Sequence, residues 1–447
     1  MRILTLVVAT SWLLPTAGAL AQVAGKEQGK EQAKKPAPAP ARPEDLAKRV
    51  EDLEAEVARL RLQQPGEEGE EEEASAPASP PQAGPVSANA FNPTVTAVGN
   101  GLYRHDDKDV LSGGTPIDNQ FNLREVELDL RAAVDPFADG VAILSFESEV
   151  PGQFEAGVEE GYVIIKRLPV PLLDEPPFGL QFKVGRFRPE IGRINVLHLH
   201  DLPQMTRPLV VEEFFGEEGY VGNGVSARLL LPGFDPASAF ELTAQLLTGG
   251  GVAVADGPAQ SPAAIANLRW FRTFAGAHNV DLSAIFHFAR TDPAATRNAF
   301  TFSGDFLYKW KPLRQGEFRS FVLGGQVFAT RRDFVEELDT NGDGEPDAVQ
   351  DGEASPLGYF GFAQYQVSRT TYLGARWDDT ATITDDSVRR RAISAYATWY
   401  TSEFLRLRLG YEHRMSDLDD EDGRNSIFAE LNFVFGAHPP EPFWVNK

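Results

Sequence analysis

The stretch FGLQFKVGRFRPEIGRINVLHLHDLPQMTRPLVVEEFFGE, Phe178 to Glu217, decides how the rest of the chain is read. It opens as a strand. Leu180, Phe182 and Val184 share one face and Gln181, Lys183 and Gly185 the other, the period of two of a half-buried sheet. At Arg186-Phe187-Arg188-Pro189-Glu190 the alternation stops. Residues 189–216 show no strand periodicity, exceed an ordinary connection, and carry charges of both signs, among them Arg193, His198, His200, Asp201, Arg207, Glu212 and Glu213. Long polar loops inside ordered domains usually carry function. If the surrounding strands close into a barrel, such a loop can fold inward and narrow the lumen.

The surrounding sequence supplies those strands. In residues 122–134, Val126, Leu128, Leu130, Ala132 and Val134 alternate with Glu125, Glu127, Asp129 and Arg131. The same alternation recurs through Val225 to Leu231, Phe240 to Leu246, Val280 to Phe288, Leu405 to Tyr411 and Ile427 to Phe435. In a soluble sandwich the apolar face would be the core; in an outer-membrane barrel it would meet lipid, with the charges lining a wet lumen. Residues 91–447 hold about sixteen such segments, an even number as bacterial barrels require. Their connections sort into a mostly short set and a long one (105–120, 189–216, 331–355 and 414–424), which a sandwich has no reason to segregate. Trp270, Trp310 and Trp399 each end a strand running toward a short turn, where an interfacial girdle places amphipathic rings. The expected fold is therefore all-β: a transmembrane antiparallel barrel of about sixteen strands, preceded by a short coiled-coil helix. A secreted or surface β-sandwich adhesion or binding module is the alternative.

The first ninety residues have a different character. Residues 1–21 read as a signal peptide, with Arg2, an apolar run and Ala19-Leu20-Ala21 before the cleavage point. Residues 22–42 read as a disordered spacer. Over 43–64, Leu46, Val50, Leu53, Val57 and Leu60 recur at spacings of four and three, the pattern of a coiled coil. Residues 65–90 form an acidic, Pro-rich linker. Cys is absent, so neither disulfides nor thiolate chemistry enters. The net charge of −23 excludes a nucleic-acid binder, which needs a basic face, but leaves an anion channel open because local charge sets selectivity.

Arg124-Glu125-Val126-Glu127 before a strand ending Val134-Asp135-Pro136, the run Val184-Gly185-Arg186-Phe187-Arg188-Pro189-Glu190-Ile191-Gly192-Arg193, and the closing Phe433-Val434-Phe435-Gly436-Ala437-His438-Pro439 resemble the phosphate-selective porin O/P family of Gram-negative outer membranes. The resemblance spans roughly residues 91 to 443. It implies a homotrimeric, passive, sixteen-stranded channel whose third extracellular loop enters the pore, and it puts the amino-terminal segment in the periplasm. Members selective for phosphate line the path with a ladder of Lys and Arg, whereas the inward faces here mix both signs. The partners expected are outer-membrane lipid and small hydrophilic or anionic solutes. The constriction is expected from Lys183, Arg186, Arg188, Arg193, His198, His200 and Arg207.

Two metal signals stand beside this reading. Asp339, Asn341, Asp343 and Asp347 place oxygens as in the first half of a calcium loop, although Gln350 stands where the closing Glu belongs. His198 and His200 with Asp201 offer a second, weaker donor set, two imidazoles two residues apart without a further clustered ligand. No Gly-flanked Ser nucleophile or triad pattern appears, so no enzyme is expected. No cofactor is expected apart from Ca2+ in an extracellular loop. A plugged transporter barrel would need about twenty-two strands.

Overall fold

The computed structural model describes residues 93–112, 115–171, 173–248, 261–292, 296–338, 348–417, 423–436 and 442–445. The signal, spacer, coil and linker of residues 1–90 lie outside the described residues, as does the calcium-loop candidate at 339–347.

Sixteen strands form one ring: β1 (Thr94–Asp106), β2 (Gln120–Asp135), β3 (Ala138–Glu147), β4 (Glu155–Ile165), β5 (Gln181–Phe187), β6 (Gly222–Pro232), β7 (Ser238–Thr248) and β8 (Ala263–Phe274). The second half is β9 (His278–Arg290), β10 (Asn298–Trp310), β11 (Phe321–Leu338), β12 (Leu357–Gln366), β13 (Thr371–Ala381), β14 (Arg389–Ser402), β15 (Leu405–Ser416) and β16 (Arg424–Gly436). Each pairs antiparallel with its neighbours in sequence. The ring closes where β1 meets β16, from Thr96 opposite Gly436 to Asp106 opposite Ser426. Closure leaves no sheet edge and excludes the two-layer sandwich.

The period of two sorts the side chains. Along β10, Ala299, Thr301, Ser303, Asp305 and Leu307 point inward and are buried, while Phe300, Phe302 and Phe306 point outward and are exposed. Along β15, Arg408 is 1% exposed and its neighbour Leu409 64%. The exterior thus carries the large apolar side chains and the interior most of the charge. Trp399 lies on this outer face, half exposed, toward the rim of short turns.

Three sequence boundaries shift. The connection expected at 331–355 is partly strand, because β11 runs on to Leu338 and pairs with a short strand, Ala348–Ala354, as a two-stranded ribbon. The short rim also holds two longer connections, 166–180 and 311–320, so the rims segregate by majority. The inserted loop runs over 188–221, since β6 begins at Gly222, and it contains a helix, α1 (Leu209–Phe215). Strand periodicity could not reveal this helix. Leu209, Val210, Val211, Phe214 and Phe215 are all buried, so it has no polar stripe beyond Glu212 and Glu213.

Candidate functional site

Chain order makes 188–221 the third connection on the long-loop rim, and it folds into the lumen. The change of direction is local chemistry. Pro189 has no N–H to continue the ladder of β5. Gly192 adopts φ 135°, and a Cβ there would land on the Gln326 amide. That amide instead donates to the Ile191 carbonyl at 2.6 Å. Asn195 then braces the loop's two ends, donating to the carbonyls of Pro189 and Tyr220 and accepting from the Tyr220 N–H at 2.8 Å.

The loop reaches strands around the ring. Glu190 meets β7 through Gln245 and Thr243, and β8 through Asn267. Arg193 ion-pairs with Asp305 on β10 and, at 3.4 Å, with Asp281 on β9. Leu209 N–H donates to Asp378 of β13 at 3.2 Å, and Glu213 binds Arg390 of β14 at 2.8 Å. Arg124 of β2 donates to the Met205 carbonyl at 2.8 Å, and Arg376 of β13 to that of Thr206 at 2.6 Å. So many anchors hold the loop in place across the lumen, because each buried pair that is broken leaves an uncompensated partner.

Packing divides the lumen. On one side the loop's Ile191, Ile194, Leu202, Val210, Phe214 and Phe215 join inward Leu247, Ile265, Ile285, Val322, Phe328, Phe360 and Phe362 in an apolar core. These inward apolar residues of β7 to β12 depart from a lumen lined throughout by charge. They are the seat on which the loop rests. On the other side, between the loop and strands β1 to β4 and β14 to β16, lies a cavity of about 1050 Å³. Its lining mixes Arg124, Arg188, Arg207, Arg390 and Arg414 with Glu125, Glu147, Glu159, Glu212 and Glu213. Below the loop, Phe443, Trp444 and Val445 also sit inside the barrel. Gln364 donates to the Trp444 carbonyl at 3.0 Å, and Lys309 to those of Phe443 and Val445.

The residues expected at the constriction do not act as one group. Lys183 points inward, its ammonium 4.6 Å from the Tyr162 ring centroid. Arg186 shares the outward parity of Val184 and donates to the Val158 carbonyl at 3.0 Å, so it lies off the lumen face. Arg188 is buried against Glu159 and Glu218, and Arg193 is held by its two aspartates. Arg207 differs. It donates to the carbonyls of Glu217 and Ile194, and among the described residues no carboxylate stands within salt-bridge distance. Burial, with repulsion from Arg188, pushes its guanidinium down to about 9.

His198 and His200 are buried against the wall. Nδ1 of His198 is 2.9 Å from Glu159 and 3.0 Å from Glu127, and Nε2 is 2.9 Å from Glu160. Nδ1 of His200 is 3.1 Å from Glu125. Burial opposes charge on both rings, but the carboxylates outweigh it; His198 is held well above its ordinary value and His200 is raised to about 10. Alternation along β2 made Glu125 and Glu127 legible as inward. Glu159 and Glu160 were not, because a β-bulge turns both inward: Ile143 pairs with Glu160 and Leu144 with Val158, leaving Glu159 extra.

No protein-family model matches the chain. An uncharacterised protein of Aquifex aeolicus (strain VF5) is 38% identical over 112 residues, 25% of this chain and 21% of that one, so the match spans about a fifth of that curated relative. Among solved structures, OmpF of Salmonella typhi in complex with daunomycin is similar at TM-score 0.49 and 12% identity, over 78% of this chain and 99% of that one. The outer membrane channel DcaP of Acinetobacter baumannii is similar at 0.47 and 10%, over 79% and 100%. OmpT, an outer membrane protein of Vibrio cholerae, is similar at 0.45 and 9%, over 77% and 98%. The closed barrel described above rests on this chain's own strand pairing.

Proposed function

We propose that the chain is an outer-membrane porin for passive diffusion of small hydrophilic solutes, with loop 188–221 as its constriction. The observation that carries the reading is the sorting of side chains across a closed ring. Strands that put Phe300, Phe302, Leu409 and Ile427 outside put Asp305, Arg408, Glu412 and Glu430 inside. An apolar exterior of this kind is stable against hydrocarbon and costly against water, at about 25 cal/mol for each Å² left wet. Among the described residues no helix is long and apolar enough to cross a membrane.

Anions such as phosphate belong to the proposed solute range, with Arg207 as the charge that favours them. The paired Arg188 and Arg193 serve the loop's position. The mixed lining of the cavity supports a general channel more than a phosphate-specific one. A homotrimer with its amino-terminal segment in the periplasm completes the proposal. Purified protein added to a planar lipid bilayer should give stepwise conductance increments. Release of the protein from cells in plain buffer, with no conductance, would refute the reading.

A further inference from the structure

We propose that Glu125, Glu127, Glu159 and His198 form a divalent transition-metal site that clamps the constriction loop to the barrel wall. One ligand atom from each of the four lies within 4.8 Å of all the others, and all four residues are buried. Nε2 of His198 is hydrogen-bonded to Glu160 Oε1 at 2.9 Å, and Glu160 is itself fixed by the Arg188 N–H at 3.1 Å. That bond makes Nε2 a donor, because a carboxylate can only accept, and without an ion Nδ1 carries a proton too, facing Glu159 Oε1 at 2.9 Å and Glu127 Oε2 at 3.0 Å. A divalent ion entering here would displace the Nδ1 proton and take that nitrogen's lone pair, with Glu159 and Glu127 beside it as further ligands. With an ion on Nδ1, Glu160 would serve as the outer carboxylate that orients a ligating ring by accepting from its other nitrogen.

The unsatisfied atoms point to the same centre. Nδ1 of His198, Oε2 of Glu127 and Oε2 of Glu159 are buried and lack a hydrogen bond, and Glu127 and Glu159 are 3% and 6% exposed. The Nδ1 proton supplies positive charge there without an ion, and an ion that displaced it would draw in Glu125 as well, whose ligand atom shares the same centre. The spacings suit one, since ligands about 2.0–2.2 Å from a tetrahedral ion lie roughly 3.3 Å apart. One imidazole with three carboxylates favours Zn2+ or its first-row neighbours over Ca2+ and Mg2+, which take oxygen donors. Glu125 and Glu159 also line the large cavity, which gives an ion a route in. The ligands come from β2, from the bulge of β4 and from the loop, so an ion bound there ties three separate segments together.

The test uses the full chain in detergent micelles, stripped with a chelator and carrying Asp343→Ala to remove the calcium-loop candidate. Its readout needs no transport, so it stands apart from the channel assay. Calorimetric titration with Zn2+ should show one ion per chain, lost in His198→Gln and in Glu127→Gln, and weakened roughly 10–100-fold in Glu160→Gln. Unchanged isotherms in these variants, or no Zn2+ bound by the parent, would overturn the proposal. Should the variants fail to fold, Co2+ added to the parent decides: intense visible absorption of a tetrahedral centre supports the site, and the weak spectrum of six-coordinate Co2+ overturns it.

Discussion

The indole nitrogen of Trp444 donates to the backbone carbonyl of Asp201 at 2.7 Å, tying the segment after the last strand to the constriction loop. Trp444 is 0% exposed, and the guanidiniums of Arg406 and Arg408 stand 5.6 and 5.4 Å from its ring. An aromatic so placed both supports the loop from below and fills lumen. Trp444→Ala should cost about 3–5 kcal/mol, seen as unfolding at lower temperature on semi-native gels. It should also raise the unit conductance in planar bilayers. Unchanged conductance would place Pro442 to Val445 outside the permeation path.

Arg193 and Arg207 separate anchoring from selectivity. Arg193→Gln leaves buried Asp305 with an uncompensated charge, a loss of about 3–5 kcal/mol, while Asp281 keeps its pair with Arg269. Its expected result is a noisier, less heat-resistant channel with little change in reversal potential. Arg207→Gln removes a guanidinium that lines the cavity without a salt bridge, and a charge in a narrow, partly dehydrated passage acts strongly on ions. Reversal potentials under a salt gradient should shift toward cations in this variant. If the two variants behaved alike, the division of roles would be wrong.

The strand count and the inward loop were legible because both follow from simple periodicity: sixteen alternating segments, and one stretch where alternation stops. What resisted reading depends on contacts between distant segments. Arg188 and Arg193 look like pore charges in sequence, and only their partners Glu159 and Asp305, far away in the chain, make them anchors. The His198-Leu199-His200 pair lacked further ligands in sequence, since Glu125 and Glu127 come from another strand and Glu159 from a bulge that strict alternation hides. Ile285 and Phe328 fill inward positions that a wet lumen would leave polar, and their reason is the loop that covers them.

The outward face offers a direct test of where the barrel resides. Leu409 is 64% exposed near the middle of β15. Against hydrocarbon, Leu409→Arg should cost about 2–4 kcal/mol near the bilayer midplane, whereas Leu409→Phe should be tolerated. Folding yields into lipid vesicles, measured by heat-modifiable mobility, should fall for the first and hold for the second. Equal yields would argue that this face does not meet lipid.

The last prediction concerns residues 43–64. Leu46, Val50, Leu53, Val57 and Leu60 give about three heptads, too few for a stable coil on their own. Joined to the barrels of the proposed trimer, the same helix would act at the high effective concentration set by its linker. The 65–90 linker is rich in Glu, Ala and Pro, and charged, Pro-rich linkers in general repel themselves and extend. Deleting residues 43–64 should therefore lower the temperature at which the trimer separates on semi-native gels, while the monomer band keeps the mobility of a folded barrel. A trimer of unchanged heat resistance would assign the coil to a different partner, and a species that runs as unfolded monomer would show that the segment is needed for folding itself.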